Sequence, residues 1–295
     1  MNKYIFLLFL PLCSFAKIQI AATTTDVAAI VREVGGDQVE VFSIAKGTQD
    51  PHQIEAKPSY MVKLRSVDLV FAQGLELESA WLTPLIEGSR NDKLVQKNNV
   101  MELAPLVDPI DIPQGAISRA DGDVHPGGNP HFQLDPIRVG KAALLIADRL
   151  SQQNPAQKGF FTENAKKFNQ RMIDKTAEWK KRLAKTRIKE VVTYHKYLAY
   201  FCSRFDLICA LQLEPKPGIP PTANHLMSII SEIKKRNIGL VLIENLYLDD
   251  AGKKIKQDIP NLKIQKIPVS VEGDTGILTN EQLIEKIVST IEASI

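Results

Sequence analysis

A chain of 295 residues, 44% of them hydrophobic and 24% charged, has the composition of an ordinary folded protein and room for one large domain or two smaller ones. Its formal net charge of +3 is too small to point to nucleic acid or an anionic lipid surface as a partner. Beyond the first sixteen residues, no stretch is apolar for long enough to cross a bilayer.

The opening, "MNKYIFLLFLPLCSFA", carries one early lysine, an apolar run over residues 5–12, and small residues at Ser14 and Ala16. That is the pattern of a cleaved signal peptide, its apolar run being too short to span a membrane. The expected mature protein starts near Lys17, is exported to the periplasm, and carries a net charge of +2 once Lys3 is lost. A lipid-bearing cysteine follows a small residue, and Leu12 precedes Cys13, so Cys13 reads as part of the discarded leader and no stable membrane anchor is expected.

Residues 17–22, "KIQIAA", then read as a strand. "TTTDVAAIVREVGG" follows with a capping threonine or aspartate, apolar residues at helical spacing and glycines at the stop. "QVEVFSIA" alternates as a strand does, and the polar loop "KGTQDPHQIEAKPS" leads to a helical "SYMVKLRSV" and an apolar strand, "DLVFAQG". Residues 107–130 are loop-like and rich in Gly, Pro and Asp. Two helical patterns come next, over residues 137–153 and 155–185; the second, with Phe161, Ala165, Phe168, Met172 and Leu183 at helical intervals, would be roughly 45 Å long. The βα alternation then resumes through "EVVTYH", "KYLAYFCSRF", "LICALQLEP", "PTANHLMSIISEIKKRNI", "GLVLIEN", a further helix, "KIQKIPVS" and "NEQLIEKIVSTIEASI". Alternating strands and helices predict parallel sheets covered on both faces, with ligands beyond the carboxyl ends of the strands. The predicted organisation is an α/β lobe over residues 17–154, a linking helix over 155–185 and a second α/β lobe over 186–295.

Five histidines occur, and three share a setting at loop edges: His52 in "DPH" after a strand, His131 in "GNPHFQLDP" before a helix, and His195 at the end of "EVVTYH". Zinc takes imidazole nitrogens at about 2.0–2.1 Å in a tetrahedron, and a preceding proline stiffens the backbone at His52 and His131. Their separations of 79 and 64 residues match no compact metal motif, so spacing alone also fits three solvated loop histidines. Cys202 and Cys209, in an oxidising compartment, are expected to pair across a helix-to-strand turn, two buried thiols being the other reading.

Taken together, "GTQDPHQIEAKPS", "GNPHFQLDP", "TYHKYLAYFCSRF" and "LEPKPGIPPTANHL" resemble the metal-specific solute-binding proteins of ABC importers, the zinc- and manganese-binding family, in the same order and over essentially the whole mature chain. The resemblance implies two α/β lobes bridged by one long helix, with the metal in the cleft between them. It implies His52, His131 and His195 as metal ligands. Manganese-preferring relatives commonly carry a glutamate at the third position, so His195 favours Zn2+, with Mn2+ the alternative. For the fourth ligand the family offers an aspartate after the last strand. Here that stretch reads "IPVSVEGDTGILTN", with Ser270 near the aligned position, so Asp274, then Glu272, then water are the candidates.

His125 is either an accessory ligand on a flap or simply exposed, with exposure favoured. His225 reads as structural, and Glu214 as a hinge or cleft-lining residue. Asp50, Asp135 and Glu244 are candidates to hold the imidazoles from behind, as ligating histidines require, although helix caps or ion pairs explain them equally. The loops around His131 and residues 272–276 are expected to order on binding. A monomeric carrier docking an ABC-transporter permease, and not an enzyme, is the implied function. The rival readings are a zinc-dependent hydrolase, for which no HExxH helix or Gly-x-Ser-x-Gly elbow exists, and a surface adhesin.

Overall fold

The structure is a computed structural model that describes residues 16–95 and 99–294. The expected leader lies outside the described residues except for Ala16. Two four-stranded sheets, both wholly parallel, form the two lobes. The first comprises β1 (Ile18–Ala22), β2 (Val39–Ser43), β3 (Leu69–Ala72) and β4 (Val100–Glu102), in the order β2-β1-β3-β4. The second comprises β5 (Glu190–Thr193), β6 (Ile208–Gln212), β7 (Leu240–Glu244) and β8 (Lys263–Ile267), in the order β6-β5-β7-β8. Each lobe therefore repeats the same strand arrangement.

Helices cover both sheets: α1 (Thr25–Gly35), α2 (Pro58–Leu64), α3 (Leu82–Ser89), α4 (Asp92–Val95) and α5 (Pro136–Gln153) in the first lobe. The second lobe has α7 (Ala199–Arg204), α8 (Ala223–Arg236), α9 (Asp250–Asp258) and α10 (Asn280–Glu292). The caps follow the sequence signals. Thr24 accepts from the Val27 amide, Thr222 from that of His225, and Thr279 with Gln282 forms a reciprocal capping box. The short elements α3, α4 and β4 fall within residues 75–106, to which no element was assigned from the sequence; β4 is only three residues long and lies at the sheet edge.

Between the lobes runs α6 (Lys158–Lys185), 28 residues and so about 42 Å long. Its apolar stripe is divided between two cores. Phe161, Ala165, Phe168 and Met172 pack with β1, α1 and α5 in the first lobe, while Trp179 and Leu183 pack with β5, α7 and α10 in the second. A rod with both ends in hydrophobic cores resists bending, because opening one lobe against the other would expose that stripe.

Polar ties cross directly from lobe to lobe as well. Asp26, at the start of α1, accepts from the Val271 amide at 2.9 Å, and the Thr25 hydroxyl donates to the Val271 carbonyl. The Asn129 side chain donates to the Lys196 carbonyl at 2.9 Å. A disulfide joins Cys202 on α7 to Cys209 on β6, with a Cα separation of 6.1 Å, as expected from their placement across the turn.

Candidate metal centre

The carboxyl ends of the two sheets face a common cleft, and each of the three histidines reaches it from a different element. His52 sits in the loop after β2. Asp50 grips it twice, its Oδ1 accepting from the His52 backbone amide at 3.0 Å and lying 2.7 Å from Nδ1. The Trp81 indole donates to the Pro51 carbonyl at 2.9 Å, which fixes the turn from below. With Nδ1 engaged by a carboxylate, the other nitrogen presents its lone pair. That nitrogen, Nε2, is buried and has no hydrogen-bond partner.

His195 lies just past β5. Its backbone amide donates to Glu244 at 3.2 Å, and its Nδ1 is 2.7 Å from Glu214 Oε2. Glu214 stands beyond the end of β6, the neighbouring strand, and also accepts from the Gly218 amide at 3.2 Å.

His131 precedes α5 and is held through its backbone. Its amide donates to Asn129 Oδ1 at 2.9 Å, the Gln73 side chain donates to the Pro130 carbonyl at 2.7 Å, and the Tyr200 hydroxyl donates to the Asn129 carbonyl at 2.6 Å. The imidazole itself is buried, with both ring nitrogens unpartnered, and it lies against the Tyr197 ring at 3.9 Å between centroids.

The three rings face one another at centroid separations of 5.2, 5.7 and 5.5 Å, and one donor nitrogen from each lies within 4.8 Å of the others. A tetrahedral zinc with bonds of about 2.0–2.1 Å would hold its donors at about 3.3 Å, so the rings need close by no more than about 1.5 Å. Burial, and then the nearby His52 and His195, push the His131 imidazole well below its usual range, which keeps it neutral and ready to donate. Burial alone would raise Asp50, but its hydrogen bonds and charge contact with His52 outweigh that and lower it, so it remains a carboxylate behind the ring. Glu244, fully enclosed, is raised by burial to about 8 and serves backbone amides instead of an imidazole.

The sequence-derived candidates divide accordingly. His52, His131 and His195 come together. Asp274 and Glu272 do not join them. The turn after Ser270 is closed by the Glu272 amide donating to the Ile277 carbonyl at 2.7 Å, and Glu272 takes a left-handed φ of 61°. Both acids consequently face outward: Glu272 pairs with Arg32 of α1 at 3.6 Å, and exposed Asp274 caps the Thr275 amide. Of the carboxylates expected behind the rings, Asp50 is in place. Asp135 instead caps α5 and pairs with Arg138 and Arg204. Glu214, read as a hinge or cleft residue, is the carboxylate that holds His195; its position just past the end of a strand was the one trace of this role in the sequence.

His225 bonds the Gln212 carbonyl at 3.1 Å, a structural role as expected. His125, expected to be exposed, has a buried and unpartnered Nε2 beside His52, with 5.4 Å between ring centroids.

A cleft between two parallel-sheet lobes, floored by three converging imidazoles and bridged by a long helix, defines a metal-binding solute receptor. The chain belongs to the family described as zinc-uptake complex component A, periplasmic, whose model matches residues 20–293, and it is thus a substrate-binding component of a metal ABC transporter. Among curated relatives it is similar to the metal ABC transporter substrate-binding lipoprotein ScbA of Streptococcus cristatus, 27% identical over 88% of this chain and 84% of the relative. It is likewise similar to the manganese ABC transporter substrate-binding lipoprotein PsaA of Streptococcus anginosus, 26% identical over 82% and 77%. The crystal structure of ZnuA shares the fold, with a TM-score of 0.79 at 20% identity, covering 94% of this chain and 99% of that one. So does the laminin-binding protein of Streptococcus agalactiae, described as a bifunctional protein with adhesin and metal-transporting activity, with a TM-score of 0.77 at 22% identity over 94% and 99%. Among the described residues no helix is long and apolar enough to cross a membrane.

Proposed function

We propose that the protein is a periplasmic zinc carrier, which captures Zn2+ through His52, His131 and His195 in the inter-lobe cleft and delivers it to a membrane permease. The observation that carries this reading is the donor set: three buried nitrogens and no carboxylate within the group. Imidazole suits zinc, whereas manganese prefers carboxylate, carbonyl and water oxygen. Relatives named for manganese supply the second reading; it would require an oxygen donor to enter, and the two acids proposed from the sequence, Asp274 and Glu272, would have to leave an amide cap and an ion pair to do so.

Carriage is favoured over hydrolysis because the nearby carboxylates Asp50 and Glu214 are committed to the Nδ1 atoms and leave no free base beside the site. With α6 and the cross-lobe bonds limiting lobe motion, closure would be local, in the loops around the ligands. Leu12 ahead of Cys13 argues for a mature form without a lipid anchor, which fractionation of cells into membrane and periplasm would check.

The deciding experiment is metal analysis of the demetallated protein titrated with zinc and manganese in competition. Expected are one zinc per chain, ready displacement of manganese, and a loss of about tenfold or more in zinc affinity for His195→Ala. Manganese preference would overturn the zinc assignment, and the absence of tight metal binding would overturn the carrier itself.

A further inference from the structure

Three histidines form the donor group and His225 is engaged elsewhere, which leaves His125. It belongs to the long connection of residues 107–129, whose only regular element is a single 3-10 turn, Arg119–Asp121. That connection leaves the first lobe and lies against the second. Lys216 donates to the Ala120 carbonyl at 2.6 Å and pairs with Asp121 at 3.1 Å, and the Asp123 amide donates to the Pro217 carbonyl at 2.9 Å. The contact is close enough that a Cβ on Gly122 would strike the Pro217 carbonyl. Its partner on the second lobe is the same loop that carries Glu214, the residue behind His195. A tight turn then brings the chain back, with the Gly128 amide donating to the His125 carbonyl at 3.1 Å and Gly128 at a φ of 108°.

The result places a fourth imidazole over the site. The His125 Nε2 is buried with no hydrogen-bond partner. An unmade bond on a buried nitrogen is costly unless something fills it. A cavity of about 50 Å³ is lined by His125, His131 and His195. It has room for an ion together with ordered water. The one shortfall is distance: His125 lies outside the group whose donors all fall within 4.8 Å. Because bonds at residues 120–123 pin the connection to the second lobe, the remaining inward movement falls to the His125 side chain and the turn of residues 125–128.

We propose that His125 is the fourth metal ligand, brought in by a local shift of its turn on the flap of residues 107–129 to close an all-imidazole tetrahedron over the ion. This inference rests on the zinc reading and deepens it, because a site of four nitrogens leaves manganese no oxygen donor. It also joins capture to closure, since the flap touches both lobes and so a bound ion ties His125, on the cover, to His195, on the second lobe.

The test uses full-length protein, demetallated and reloaded with zinc or with Co2+ as a spectroscopic probe, and compares wild type with His125→Ala and His125→Gln. Matching melting temperatures of the metal-free proteins confirm that each variant folds. The variants should bind zinc about tenfold or more weakly and release it faster to a chelator. In the variants the fourth position passes to water, which ionises near neutral pH on such a metal. Their cobalt spectra should therefore change between about pH 6 and 9, whereas that of the wild type stays constant. Unchanged zinc affinity together with a wild-type cobalt spectrum in both variants would overturn the fourth-ligand assignment and leave the zinc carrier standing. Failure of the wild type to bind zinc would instead overturn the carrier, and this inference with it.

Discussion

Glu214→Gln tests whether the site depends on the carboxylate behind His195. Glu214 Oε2 lies 2.7 Å from His195 Nδ1, and the two side chains are 4% and 5% exposed, so solvent screens the interaction little. In that setting the carboxylate fixes the tautomer that presents Nε2 and makes the ring a stronger donor. Glutamine can still accept from Nδ1 and from the Gly218 amide, which Glu214 serves at 3.2 Å. What it removes is the charge. The expected loss in zinc affinity is therefore at the lower end of the range for such partners, about tenfold, or about 1.4 kcal/mol. Glu214→Ala also strands the Nδ1 proton in a buried site, and the expected loss rises towards about a hundredfold. Competition against a chromophoric chelator measures both, with Glu272→Gln and Asp274→Asn as references. Those two acids lie outside the donor group and should change affinity by less than about twofold. A Glu214→Gln protein that folds normally and binds zinc within about twofold of wild type would refute the coupling.

The other predictions concern the frame around the site. Replacing Cys202 and Cys209 by alanine frees a bond that spans seven residues, and should lower stability by about 2 to 3 kcal/mol in urea unfolding while leaving zinc affinity nearly unchanged. Equal unfolding midpoints for the two proteins under oxidising conditions would count against it. Asp26 is raised from 3.8 to about 7 by burial, so the fold favours its protonated form. Its stabilising contribution is full below pH 3.8 and is lost as pH rises towards about 7, so Asp26→Asn should make the metal-free protein relatively more stable above neutrality and flatten its pH profile. Parallel profiles for the two proteins between about pH 4 and pH 8 would remove Asp26 as the cause.

Much of this arrangement could be read in the sequence because βα alternation is a periodic signal. Both lobes, the long helix and its apolar stripe over Phe161, Phe168, Met172 and Leu183 follow from spacings of 2 and 3.6 residues. The histidines were individually visible as loop-edge residues after strands or before a helix, but separations of 79 and 64 residues say nothing of convergence until the two sheets are set face to face. Partners that depend on strand order were hidden for the same reason. Glu214 holds His195 because β6 lies beside β5, an adjacency fixed by tertiary pairing. Asp135 is adjacent to the site in sequence, yet capping α5 and pairing two arginines use up its oxygens. The acids near residue 274 failed to arrive because a single left-handed residue, Glu272, redirects the turn.

The three histidines proposed as ligands are not equivalent, and the difference bears on how metal and fold would be coupled. His52 and His195 each have one nitrogen satisfied by a carboxylate, whereas His131 is buried with both nitrogens unpartnered and is positioned by its backbone alone. Each unmade bond on a buried polar atom costs about 1–3 kcal/mol in the metal-free protein. The network through Gln73, Asn129 and Tyr200 holds His131 in place against that cost. A metal that takes the lone pair of one His131 nitrogen then relieves part of an expense the apo protein already bears, so binding needs little rearrangement of the cleft floor and stabilises the folded chain by mass action. The asymmetry would divide the labour on binding: His131, held by its backbone network, would set where an ion sits, and the two carboxylate-backed rings would make the adjustment of up to about 1.5 Å that coordination requires.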